Sequence, residues 1–313
     1  MRVTTPGPKY DLTNGPYSIT VVGVKIKISA CFACLALCAI SAQGANADTE
    51  SVAPNAAESD DRHMPARGPV HLYLGVNFAT VRYVEPDIGV THNGRFFPGL
   101  VAKLALEDPD QLPIFASARY KHQSGTYDYS GYIQDLAGVR TPYYDSALPQ
   151  SKYDLEFLAG YLNNTFKVFG GAQYENWTDK AYTVNRNFYK RARESWYGVV
   201  GAAAKLAWED YRSLELVIKA KPLISGDHYS RLSDMGCIFE NVGTTRNNQS
   251  RGFRFEISFE YQYEMLFLEP YFSYTRIPAT KFVYFDAAPG ISGRIQEPAN
   301  TSAEFGVNMG IRF

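Results

Sequence analysis

Residues 252–262, with the sequence GFRFEISFEYQ, alternate between apolar and polar side chains without a break. The two alternating sets are Phe253, Phe255, Ile257, Phe259 and Tyr261 on one side, and Arg254, Glu256, Ser258 and Glu260 on the other. A period of two places these sets on opposite faces of a β-strand, whereas a helix needs a period of about 3.6. The segment therefore predicts a strand with one apolar face and one charged face.

Nine other segments repeat this alternation, at residues 70–82, 98–107, 113–124, 151–162, 165–175, 195–208, 212–222, 265–276 and 303–313. Each is about as long as the roughly 9 to 11 residues with which a tilted strand crosses a bilayer. Short links, such as 163–164 and 263–264, alternate with long ones, such as 125–150 and 223–251. The pattern predicts an all-β fold, a ten-stranded antiparallel transmembrane β-barrel with short periplasmic turns and five long extracellular loops.

A soluble β-sandwich or lipocalin-like barrel is the alternative, because its strands also alternate. Aromatic residues cluster at segment ends, as Tyr153 and Tyr161 do, and this favours the interfacial girdles of a membrane barrel. The chain has 313 residues with 31 basic against 32 acidic side chains, which excludes a basic nucleic-acid-binding protein. No apolar run reaches the roughly 18 residues that a membrane-spanning helix needs, so a helical membrane protein is also excluded.

The N-terminus has the pattern of an export signal. An apolar run of residues 28–42 follows Lys25 and Lys27 and precedes Ala45 and Ala47, which predicts a signal peptide over 1–47 with cleavage before Asp48. Residues 1–23 lie upstream of the basic region, and we interpret them as a misassigned start. The polar residues 48–69 predict a flexible periplasmic tail, and residues 70–313 the barrel.

Cysteine and histidine spacing predicts no cofactor and no metal. Three of the four cysteines fall in the predicted signal peptide, which leaves Cys237 without a partner for a disulfide or a metal site. His63, His71 and His92 lack the spacing of metal ligands.

The last strand, Phe305-x-Val307-x-Met309-x-Ile311-x-Phe313, resembles the C-terminal signal of Gram-negative outer-membrane β-barrel proteins. The resemblance implies that the barrel-assembly machinery is a partner and that Phe313 is the assembly signal. It also implies an exported monomer in the bacterial outer membrane, in contact with membrane lipid and lipopolysaccharide.

Charged side chains lie on the predicted inner face of nearly every strand. Arg119 and Lys121 are expected to stand opposite Asp154 and Glu156 on the next strand and to form lumen ion pairs. Because an unpaired ion in a narrow lumen is costly, a structural plug of ion pairs is favoured over a charged conduit.

The pair His122 and Ser124 resembles the His-x-Ser pair of the outer-membrane acyl hydrolases, which implies Ser124 as nucleophile and His122 as base. Asp128 or Asp135 would then orient the imidazole. The family pattern usually continues Ser-Asn, whereas this chain has Gly125 after the serine, so the oxyanion side departs from it. A pair of ordinary polar residues at the rim remains the alternative, so an enzyme is left open.

Ten strands with tall loops resemble the omptins, whose protease site has an Asp pair on one side of the mouth and Asp-x-His on the other. Asp227 and His228 resemble the second element, but they are adjacent and so should point to opposite faces. The paired acid is missing, because Asp128 is followed two residues later by Ser130. A tyrosine-rich link at 125–150 could instead bind a ligand, since Tyr is enriched at interfaces.

Overall fold

The computed structural model describes residues 70–108, 112–134, 139–184, 188–209, 212–235, 239–288 and 291–313. Its strands are β1 (Val70–Glu85), β2 (Val90–Asp108), β3 (Leu112–Gln134), β4 (Arg140–Leu162), β5 (Phe166–Asp179), β6 (Lys190–Glu209), β7 (Arg212–Arg231), β8 (Thr244–Gln249), β9 (Phe253–Tyr263), β10 (Leu266–Ile277), β11 (Val283–Ala288), β12 (Ile291–Ile295) and β13 (Asn300–Arg312). Two short 3₁₀ helices span Ala181–Thr183 and Leu232–Met235. The predicted signal peptide and tail lie outside the described residues, as do Asp135 and Cys237.

The strands close into a ten-stranded antiparallel barrel, as the alternation predicts. Successive neighbours pair from β1 to β7, and β10 pairs with β13, which pairs with β1 and closes the sheet. Strands β8 and β9 occupy one position, because both pair with β7, at its upper and lower parts. Closure gives β1 to β7, β9, β10 and β13 a hydrogen-bonded neighbour on both sides, whereas β8 pairs with β7 alone among the described strands.

The alternation also assigns the two faces correctly. On β9, Phe253 points outward and is exposed, whereas Arg254 points inward and is buried. The outward-facing side chains of the ten barrel strands form one uncharged belt. On β1 the belt runs from Val70 to Phe78, and on β13 from Phe305 to Ile311. Within the described ranges, no helix is long and apolar enough to cross a membrane.

The strands are longer than the sequence predicts, and they take up most of the predicted long links. β3 has 23 residues, which corresponds to roughly 75 Å of strand and, at about 45° of tilt, to a wall about 50 Å tall. The apolar band of such barrels is only about 25 Å tall. About half of the wall therefore extends beyond the belt, at the end opposite the short turns, which we call the mouth.

Above the belt the polarity of the strands reverses. Tyr127 and Tyr129 point inward and are buried, whereas Asp128 and Ser130 point outward. The inward aromatics pack with Val90, Leu148 and Ala181 in an apolar cluster inside the mouth. Two further apolar clusters lie near the short turns, one around Phe115 and Phe169 and one around Tyr73 and Phe267. Polar side chains fill the lumen between these clusters.

Candidate functional site

The lumen at the level of the belt contains four groups of salt bridges among the described residues, which we together call the lumen network. The four groups contain nine basic and nine acidic side chains, namely Lys103, Arg119, Lys121, Lys152, Lys167, Arg193, Lys219, Lys221 and Arg254 with Glu107, Asp154, Glu156, Glu175, Glu215, Glu256, Glu260, Glu269 and Glu304. Equal numbers of the two signs make the network electrically neutral.

The four residues predicted to pair across β3 and β4 belong to this network. Nη2 of Arg119 lies 3.2 Å from Oε1 of Glu156, and Nζ of Lys121 lies 3.9 Å from Oδ2 of Asp154. Strand register explains this, because Arg119 stands opposite Glu156 and Lys121 opposite Asp154. The contact of Lys121 with Glu304, at 3.1 Å, is closer than its contact with Asp154.

The sequence did not predict the ion pairs that reach across the lumen between strands that are not neighbours in the sheet. Nζ of Lys221 on β7 lies 2.8 Å from Oε2 of Glu156 on β4 and donates to Gln173 on β5, in addition to its contact at 2.7 Å with Glu256 on the neighbouring β9. Inward parity on β4 and β7 marks Lys221 and Glu156 as lumen-facing. It does not show which strand faces which across the lumen.

A second cluster of charged side chains lies at the mouth, above the belt. Nη2 of Arg191 lies 2.7 Å from Oε1 of Glu85 and 3.2 Å from Oε1 of Glu297. The hydroxyl of Tyr83 donates toward the same two oxygens, at 2.8 and 3.2 Å, and Nδ1 of His228 lies 3.1 Å from Oε1 of Glu297. Three barrel strands and the connection between β12 and β13 supply these groups.

The pKa values of the two carboxylates of the mouth cluster, Glu85 and Glu297, are shifted in opposite directions. Burial raises the pKa of Glu85, and the neighbouring Glu297 adds to this. Burial also opposes the ionisation of Glu297, but the charges of His228 and Arg191 outweigh it and lower the pKa of Glu297 to about 2. Separated pKa values in a carboxylate pair are a mark of functional sites, although structural ion pairs produce them too. Here Glu297 holds the connection between β12 and β13 against Arg191 and His228 of the wall, and Glu85 contacts the same Arg191 from β1.

The His-x-Ser pair lies on the outer face of β3, near the outer edge of the belt. His122 and Ser124 both point outward, opposite Tyr153 and Ser151 of β4. Among the described residues, no hydrogen bond joins either side chain to a carboxylate. Asp128 lies about 13 Å further along the strand from Ser124 and pairs with Arg95 at 3.3 Å. The structure therefore places the histidine and serine on the same face but Asp128 away from them, and Asp135 lies outside the described residues.

Asp227 and His228 point to opposite faces, as adjacent strand residues should. Asp227 faces outward and forms a bidentate pair with Arg246, whereas His228 faces the lumen. Of the tyrosines in the predicted link 125–150, Tyr127 and Tyr129 are core residues of the mouth, and Tyr132 and Tyr144 are exposed. Over the described residues, no group of three or more His, Cys, Asp and Glu side chains could hold a metal ion.

The comparisons with known proteins show the fold. No family model matches the chain, and no curated protein matches it. Among solved structures, it is similar to the outer membrane protease OmpT from Escherichia coli, with a TM-score of 0.50, 10% identity, and coverage of 78% of this chain and 95% of that one. The Pseudomonas putida toluene transporter TodX matches with a TM-score of 0.30, 10% identity, and coverage of 78% and 89%.

At this identity the likeness to OmpT shows the fold alone, and the lower score of TodX carries no argument. Together with the closed ten-stranded sheet and its uncharged outer belt, it defines the class of this chain, which is an outer-membrane β-barrel.

Proposed function

We propose that this protein is a non-conducting barrel of the bacterial outer membrane, which anchors an extramembrane mouth that binds a ligand. The observation that carries the proposal is the neutral salt-bridge network across the lumen. Lys221 is completely buried and Glu156 nearly so, and Lys219 also contacts Glu156 and Glu256. A pore through this layer would separate several buried charges from their partners, which costs several kcal/mol for each ion.

The shape of the barrel supports the second half of the proposal. A barrel that only crossed the bilayer would need strands of roughly 9 to 11 residues, whereas β3 and β4 each have 23. The additional length builds a mouth with its own apolar cluster and its own charged cluster. Rigid walls of this kind are suited to presenting a binding surface.

Planar-bilayer recording tests the closed lumen directly. We expect refolded protein to insert without a steady single-channel conductance, while an open porin in the same bilayer conducts. Heat-modifiable migration on a gel must show that the inserted protein is folded. A steady, large conductance from the folded wild-type protein would overturn the proposal.

A further inference from the structure

Four arginines lie on the outside of the barrel just above the belt, and we call them the arginine patch. They are Arg82 of β1, Arg95 of β2, Arg251 before β9 and Arg276 of β10. Arg82 and Arg276 point outward, because the residues next to them in their strands, Tyr83 and Ile277, are buried inside. The side chain of Arg95 is 86% exposed, and Arg251 is exposed as well. The patch therefore faces the surroundings of the barrel and not its lumen.

The patch lies at the level where lipid headgroups meet the belt. Arg276 is the next outward residue of β10 after the exposed Tyr274, and Arg82 follows the exposed Phe78 by two outward positions. At about 45° of tilt, these steps place the two arginines roughly 5 and 10 Å above the aromatic edge of the belt. Barrels of this class have their short turns in the periplasm, so this edge of the belt meets the outer leaflet.

The positive charge of the patch is not neutralised by the protein. Among the described residues, the side chains of Arg82, Arg251 and Arg276 form no ion pair and no hydrogen bond, and Nε of Arg82 is buried without a partner. Arg95 alone has an anionic partner, Asp128, at 3.3 Å. Because arginine keeps its charge at any ordinary pH, four arginines against one aspartate leave three positive charges for a ligand to neutralise.

Acidic side chains of the same strands do not offset this charge. Glu85 on β1 and Glu304 on β13 are buried on the lumen side, where other cations pair with them. Elsewhere on the outer face the protein supplies the anion itself, as Asp227 does for Arg246. An unneutralised cationic surface directly above the lipid-facing belt therefore indicates an anionic partner that belongs to the membrane.

The patch consists of two pairs of arginines. Arg82 and Arg95 lie on neighbouring strands, with roughly 8 Å between their Cα atoms, and Arg251 comes two residues before Phe253, which stands opposite Arg276. β13 separates the two pairs with outward side chains that carry no charge, so the Cα atoms of Arg82 and Arg276 are roughly 12 Å apart. Guanidinium groups bind phosphate through paired N–H donors. Two separate pairs favour a headgroup with two phosphate positions over one with a single phosphate.

We propose that the arginine patch binds one lipopolysaccharide molecule of the outer leaflet through its phosphate groups. Lipopolysaccharide is the main lipid of that leaflet, and its lipid-linked disaccharide carries phosphate at both ends, whereas an ordinary phospholipid has a single phosphate. The acyl chains then lie along the belt, where the rings of Phe78 and Phe96 stack at 5.6 Å between centroids next to Arg95. The site is separate from the lumen, so this proposal and the closed lumen can fail independently.

Native mass spectrometry of the full refolded chain in an amine-oxide detergent tests the proposal by counting bound lipid. The probes are diphosphorylated lipid A, its monophosphorylated and dephosphorylated forms, and phosphatidylglycerol. We expect saturable binding of one diphosphorylated lipid A, and binding of the other three lipids that is about tenfold weaker or more. Binding should weaken as salt is added, because these charges are exposed. Inorganic phosphate at the concentration of the lipid should not displace it.

The double substitution Arg82→Gln with Arg276→Gln removes one arginine from each pair and should weaken binding of diphosphorylated lipid A about tenfold or more. The matched control is Arg231→Gln with Arg246→Gln, which removes the same charge from arginines that already have aspartate partners. This control should leave binding unaltered. Heat-modifiable migration must show that both variants are folded. If the double variant does not fold, the single substitution Arg276→Gln at an exposed position takes its place.

Three results would overturn the proposal. They are the absence of saturable binding of diphosphorylated lipid A to folded protein, equal binding of the dephosphorylated form or of phosphatidylglycerol, and equal losses in the patch variant and the control. Displacement of the lipid by inorganic phosphate would also overturn it, because the patch would then be a site for a free anion. Lipid binding by a protein that conducts ions would contradict the closed lumen and leave the patch assignment standing.

Discussion

Lys221 is completely buried, and its ammonium group contacts the carboxylates of Glu156 and Glu256 and the amide oxygen of Gln173. Replacing it with Met leaves two buried carboxylates with one cation fewer. We expect Lys221→Met to lower the free energy of unfolding by about 3 to 5 kcal/mol, measured by urea titration of the refolded protein.

The control for this prediction is an exposed ion pair on the same barrel. Arg95, with a side chain 86% exposed, pairs with Asp128, and Arg95→Met should barely move the urea midpoint because solvent screens such pairs. Adding Glu256→Gln to Lys221→Met should recover part of the lost stability, since one unpaired charge is removed. Equal effects of Lys221→Met and Arg95→Met would contradict the buried network.

His122 and Ser124 give a second prediction for single residues. A serine nucleophile needs a histidine whose tautomer is fixed by a third group, and in the described structure Asp128 is engaged by Arg95 instead. We therefore expect refolded protein to release no fatty acid from phospholipid or lipopolysaccharide, with or without calcium. Release by wild type that Ser124→Ala abolishes would instead establish the acyl-hydrolase alternative.

Among the elements, β13 closes the barrel. The backbone of Phe313 exchanges hydrogen bonds with Leu72, at 3.1 and 2.8 Å, while its side chain points outward and is exposed. Deleting Phe313 removes both the last backbone pair and the predicted assembly signal. We expect the truncated chain to be exported but to accumulate unassembled in the periplasm, measured by cell fractionation and the gel shift.

Phe313→Ala separates the two roles of this residue. It keeps the backbone pair with Leu72 and removes only the aromatic side chain, so a defect as large as that of the deletion indicates recognition of the side chain. A defect confined to the deletion indicates backbone closure. A normal outer-membrane yield of the deleted chain would contradict both roles.

The strand elements show how far sequence alone reaches. Period-two alternation located all ten barrel strands because, in the belt, lipid outside and charge inside give the two faces opposite polarity. The extensions beyond the belt were missed, since there Tyr127 faces the interior and Asp128 faces water, and the contrast reverses along the same strand. β8 was missed because its six residues are all polar, and the β11–β12 hairpin was missed because its strands, of six and five residues, are too short to show an alternation.

Contacts between charged side chains could be predicted from the sequence only where the two residues lie on neighbouring strands. The pair of Arg119 and Glu156 could be predicted because β3 and β4 follow each other in the chain and pair in the sheet. The mouth cluster could not be predicted, because Glu85, Arg191, His228 and Glu297 come from four distant segments that only closure brings together. Nothing in the spacing of these residues marks them as a group.

For the whole molecule, the two ends of the barrel should respond differently to acid. Glu297 ties the connection between β12 and β13 to Arg191 and His228 on the wall. A carboxyl pKa that is lowered from 4.5 to about 2 in the folded protein contributes stability that is present above the ordinary value and lost as the pH falls through the folded one. The raised pKa of Glu85 has the opposite sign, so protonation of Glu85 on the way down from neutral pH does not weaken the fold.

We therefore expect the mouth to open between about pH 4 and about pH 2 while the belt, held by its closed ladder of backbone hydrogen bonds, stays folded. Pepsin is active in this range, and the exposed Tyr284 on β11 gives it a site in the segment that Glu297 restrains. Cleavage of that segment should accelerate as the pH falls, relative to an unfolded substrate in the same tube, without loss of the gel shift. Glu297→Gln should be cleaved at the higher pH as fast as wild type is at the lower one. Loss of the gel shift together with the first cleavage would show that the mouth and the belt unfold as one unit.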